Sequence, residues 1–113
     1  MEKYTVNGKM FEYDTFDLDN MERYDREARR IEEQANHINA NGENYISVLR
    51  EIANSVLDFF DVVVGDGMAR EIFGERVNFR DIMSGYREFT EDVAKAMQDS
   101  MPAPNREQRR RSR

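Results

Sequence analysis

A chain of 113 residues suits a single domain, and Ile, Leu, Val and Phe supply 24 of them. That is enough for one small core and too little for a large enzyme-like interior. Cysteine is absent, which excludes disulfides, thiol catalysis and cysteine-based zinc or iron–sulfur centres. The formal charge of −6 is uneven: residues Arg106–Arg113 carry +4 and residues 1–105 carry −10, unlike a nucleic-acid-binding domain with a basic folded face.

No apolar run approaches the ~18 residues of a membrane span. Met1-Glu2-Lys3-Tyr4 lacks the basic and then apolar stretch of a signal peptide. The expectation is a soluble cytoplasmic protein.

The first element is a hairpin over residues 3–13. Asn7-Gly8 readily takes the two positive-φ positions of a type I′ turn. In that register Tyr4 faces Phe11 and Val6 faces Lys9, so Tyr4 and Phe11 share a face that can pack on a helix. Asp14, Thr15 and Asp17 are candidate N-caps for a long helix carrying Leu18, Met21, Tyr24, Ala28, Ile31, Ala35 and Ile38 at steps of three and four. Asn41-Gly42 is its stop signal. The stripe is wide enough for a core or for an oligomer seam, although two of its positions are only alanine.

Asn44 is the candidate cap of the next helix, with Tyr45, Val48, Leu49, Ile52, Val56, Leu57, Phe60 and Val64 on one stripe. Phe59, Val62 and Val63 widen that stripe, which predicts a central, covered helix ending at Gly65. Asp66 then caps a short helix, Met68 to Phe73, stopped by Gly74. Asn78 caps a last helix with Phe79, Ile82, Met83, Tyr86, Phe89, Val93 and Met97 on its apolar face. The elements predict a mainly α fold: a small helical bundle of three main helices and one short helix, with an N-terminal β-hairpin. Residues 1–101 form one domain, and 102–113 form a flexible basic tail. The expected core includes Leu49, Ile52, Val56, Phe60, Ile82 and Phe89.

Chemistry-bearing motifs are few. His37 is a lone histidine, and Ser47, Ser55 and Ser84 lie in no G-x-S-x-G elbow. Asp58 with Asp61, or Asp14 with Asp17, would form a catalytic pair only if a cleft gathered them. Gly65-Asp66-Gly67 lacks the pattern of a phosphate loop. The stretch Asp61–Glu71 lacks the alternating oxygen ligands of a calcium loop. The reading is a non-enzymatic chain with no cofactor and no metal. Seven methionines supply adaptable core filler or a pliable partner surface.

Three stretches carry a family resemblance: Lys3-Tyr4-Thr5-Val6-Asn7-Gly8-Lys9-Met10-Phe11-Glu12-Tyr13, Val64-Gly65-Asp66-Gly67-Met68-Ala69-Arg70-Glu71-Ile72-Phe73-Gly74, and Asn105-Arg106-Glu107-Gln108-Arg109-Arg110. Together they resemble small phage and prophage proteins of Gram-positive bacteria. They are also similar to the mostly helical tail assembly chaperones of long-tailed phages. The resemblance implies a role in virion morphogenesis through binding the tape measure protein or tail tube protein. An acidic helical body rich in methionine and aromatic residues suits helix-in-groove recognition. The expected partner-binding residues are Met68, Phe73, Phe79, Met83 and Tyr86. Arg106, Arg109, Arg110, Arg111 and Arg113 form an electrostatic tail toward an acidic component or, through the tail alone, a nucleic acid. Two further readings stand beside this one: a structural virion component such as a head–tail adaptor, and an acidic inhibitor of a host nuclease or defence protein.

Overall fold

The structure, a computed structural model, describes residues 1–36 and 44–100. Asn7 and Gly8 take φ of 52° and 80°, the two left-handed positions of a turn whose twist matches the strands it joins. They connect β1 (Glu2–Val6) to β2 (Lys9–Tyr13). The antiparallel register sets Tyr4 opposite Phe11 and Val6 opposite Lys9, as the alternation predicts. The helices among the described residues are α1 (Leu18–Asn36), α2 (Tyr45–Val63), α3 (Met68–Phe73) and α4 (Phe79–Ser100). The fold is therefore mainly helical, with three main helices, a short one and an N-terminal hairpin.

α2 is the central element, with α1, α3 and α4 packed against it, while β1 packs on α4. The shared face of the hairpin drives that last contact. The Tyr4 ring lies 5.2 Å from Phe89, edge to face, and Phe11 lies 5.8 Å from it. Phe60 stands 5.5 Å away on the α2 side. Offset and edge contacts of this kind favour aromatic pairs beyond their burial alone. Phe89 is fully buried at the junction of hairpin, α2 and α4.

Helix starts follow local chemistry. Asp17 caps α1, its Oδ1 accepting the Asp19 N–H at 3.3 Å and its carbonyl the Met21 N–H at 2.9 Å. Thr15 is not a cap: it is buried, and its hydroxyl pairs with the Tyr4 hydroxyl. Asn78 caps α4 through Oδ1 and the Asp81 N–H at 3.1 Å. Asn44 stands at the N-cap of α2 and accepts the Val48 N–H through its carbonyl, without a side-chain capping bond. At α3 the cap is Gly67, at φ 82°, in place of Asp66. A glycine cap has no side-chain acceptor, and the amide it leaves open, that of Ala69, donates to Asp61 Oδ1 of α2 at 2.9 Å.

The core differs from expectation at one end of α2. Val56, Phe60, Ile82 and Phe89 are buried as predicted, together with Ala53, Phe59 and Val63. Leu49 and Ile52 are only partly buried and stand outside that cluster. The buried face thus turns toward Ala53, Val56, Phe59, Phe60 and Val63, where α3, α4 and the hairpin gather. Leu18, in the first turn of α1, is 71% exposed, and the stripe is covered only from Met21 to Ile31. Val62 is also exposed. His37, Ile38, the Asn41-Gly42 stop signal and the tail 102–113 lie outside the described residues.

Candidate groove along the central helix

Along one side of α2, Ile46, Arg50, Ala53, Leu57 and Asp61 recur at helical spacing, with Ala53 fully buried among them. Two clefts open along it. One, of about 150 Å³, is lined by Ile46, Leu49, Arg50, Ala53, Val77 and Phe79. The other, of about 470 Å³, lies between Leu57, Asp58 and Asp61 of α2, the α3 residues Ala69 and Arg70, and the connection Gly74–Val77. Val77 lines both, so the two clefts are neighbours.

The first cleft is apolar and open. Ile46 is 71% exposed, Val77 43% and Phe79 36%. The second cleft is charged. Arg70 pairs with Glu75 across the start of the connection, while Asp58 and Arg76 have no ion-pair partner among the described residues. Asp61 is held by the Ala69 amide. The second cleft does gather Asp58 and Asp61, but its lining contains neither a serine nor a histidine.

The expected partner-binding residues divide between core and surface. Met68, Phe73, Met83 and Tyr86 are partly buried and pack against the core. Phe73 stands 5.4 Å from Phe60, and Tyr86 5.0 Å from Phe59. Burial pushes the Tyr86 phenol up. Phe79 alone of the five lines the apolar cleft. The arginines Arg106, Arg109, Arg110, Arg111 and Arg113 lie outside the described residues. Ile46 and Val77 were not singled out in the sequence. The signal was there: Ile46 is apolar but off the main stripe of its helix, and such a residue either widens the core or meets a partner.

No group of acidic or histidine side chains among the described residues is arranged to hold a metal ion. No helix among them is long and apolar enough to cross a membrane.

The fold and its clefts define a small helical protein with an N-terminal hairpin, a small apolar cleft and a neighbouring charged cleft beside its central helix. The chain belongs to a family of unknown function (DUF6673), whose model matches residues 7–113. No curated protein and no solved structure matches it.

Proposed function

We propose that the protein is a non-enzymatic binding factor of phage morphogenesis, a tail assembly chaperone that shelters an apolar helix of the tape measure or tail tube protein. It works in the cytoplasm of the bacterial host. Two things support this reading: the likeness of the hairpin, the Val64–Gly74 stretch and the basic terminus to such proteins, and the clefts beside α2. The observation that carries it is the exposure of Ile46, Val77 and Phe79 around one cleft, in a chain with 35% charged residues. Clustered apolar exposure at a concave site marks a partner surface.

The test is affinity purification of the tagged chain from phage-producing cells, with a parallel search of purified virions. The expected result is recovery of tape measure or tail tube protein and absence of this chain from the particle. Presence in the virion would favour a head–tail adaptor. Recovery of host nucleases or defence proteins alone would replace the chaperone reading by an inhibitory one.

A further inference from the structure

We infer that Asn7 is a site of spontaneous modification that the fold holds shut. It deamidates when the hairpin tip lifts from α3 and α4, and the product keeps the tip from settling back. Asn7 and Gly8 are exposed, and nothing stands within 4 Å of the place a Gly8 Cβ would take. An asparagine before glycine cyclises readily, because no side chain shields the attacking backbone nitrogen. The Gly8 nitrogen gives its proton to hydroxide and bonds to the Asn7 Cγ. The Cγ–Nδ2 bond breaks, and ammonia leaves with a proton from water. Water then opens the succinimide ring at either carbonyl, giving aspartate or isoaspartate. The net change is one water taken up and one ammonia released, with nothing oxidised or reduced.

The docked tip holds the side chain away from that ring. Closure requires the Asn7 carboxamide to fold back onto the nitrogen of the next residue. Here it reaches to another element, Nδ2 donating to the Ile72 carbonyl at 2.9 Å. Ile72 lies in the last turn of α3, where carbonyls lack partners within the helix. The Asn7 N–H donates to Glu88 Oε1 of α4 at 3.1 Å. The first bond must break before the ring forms, and the second holds the residue where the first is made. The rate of modification is then the intrinsic rate multiplied by the fraction of chains with an open tip. The product cannot remake the contact. An aspartate carboxylate only accepts hydrogen bonds, so it meets the Ile72 oxygen with no donor between them. Its charge also falls on the residue whose N–H holds the Glu88 carboxylate. Isoaspartate adds a backbone atom to a turn built for two ordinary residues. Lifting the tip takes cover from Val6, which is fully buried and packs over Gly85.

The test incubates the full chain at mildly alkaline pH and follows Asn7 by peptide mass mapping, with Asn41-Gly42, the other Asn-Gly pair, counted apart. Asn7 is expected to convert more than about tenfold slower in the folded chain than in the same chain unfolded in guanidinium chloride. Glu88→Ala, at an exposed position, is expected to stay folded in thermal melts and to convert several-fold faster than the parent. Asn7→Asp, which carries the product side chain, is expected to melt below the parent and to exchange amide hydrogens faster along β1. Equal rates in the folded and unfolded chain would overturn the inference, and this comparison needs no variant. So would a folded Glu88→Ala chain that converts at the parent's rate, or an Asn7→Asp chain with the parent's Tm and β1 exchange.

Discussion

Exchanging glycine for alanine inside a helix ordinarily stabilises a protein by up to ~1 kcal/mol. Gly85 should behave in the opposite way. A methyl group there would stand 2.6 Å from the Phe73 Cζ and 3.0 Å from the Val6 Cγ1. Gly85→Ala is expected to lower the unfolding free energy by about 1–3 kcal/mol in urea denaturation, and adding Phe73→Leu should recover part of the loss. A lone glycine in a helical pattern was a legible sign of close approach, but the sequence does not say which chains approach. The contact joins residues 6, 73 and 85, which no local periodicity connects. Val56 and Ile52 make a second contrast. Val56→Asp is expected to unfold the chain, because an unpaired charge in the centre of the core costs several kcal/mol. Ile52→Asp, at a partly exposed position, should leave a folded protein with a modestly lower Tm. Both stand on the same apolar stripe, and only the course of the neighbouring elements tells them apart.

Elements were legible where their cause is local. Asn7-Gly8 makes its turn wherever it stands, so the hairpin and its register follow from a few residues. The Asp17 and Asn78 caps also act within one turn. The α3 start was misread because its acceptor, Asp61, belongs to another helix. Asp61→Ala is therefore expected to loosen α3 by about 1 kcal/mol, seen as faster hydrogen exchange at the Ala69 amide with little change elsewhere. The hairpin tip shows the same dependence on distant parts. Asn7 Nδ2 donates to the Ile72 carbonyl at 2.9 Å, and the Asn7 N–H donates to Glu88 Oε1 at 3.1 Å. Asn7→Ala loses the first bond and strains a left-handed residue, with an expected cost of about 1–2 kcal/mol in chemical denaturation. Asn7→Gly keeps the backbone geometry and should cost less. The apolar cleft was half legible. Phe79 was singled out, but its companions Ile46 and Leu49 were omitted or assigned to the core. An apolar residue on a central helix reads the same whether it meets its own chain or another.

Tyrosine ties the whole molecule to alkaline pH. Burial pushes the phenols of Tyr4, Tyr24 and Tyr86 up, and that of Tyr13 to about 12. An unfolded tyrosine ionises near ~10, so the folded state holds these protons more tightly. The stability this contributes is complete below about pH 10 and is lost as pH rises through the folded value. Melting temperature is expected to fall steeply above about pH 10 as tyrosinate absorbance rises, and Tyr24→Phe should soften the fall. The packing of β1 on α4 also dictates an order of events during synthesis. The hairpin is made before α4, yet Tyr4 and Val6 find their full cover only once residues near Gly85 and Phe89 are available. Until then the nascent chain displays the unclosed side of α2, with Phe59 and Phe60 bare. Closure across that sequence distance is a slow, late step, and until it happens the chain carries an aggregation-prone apolar face.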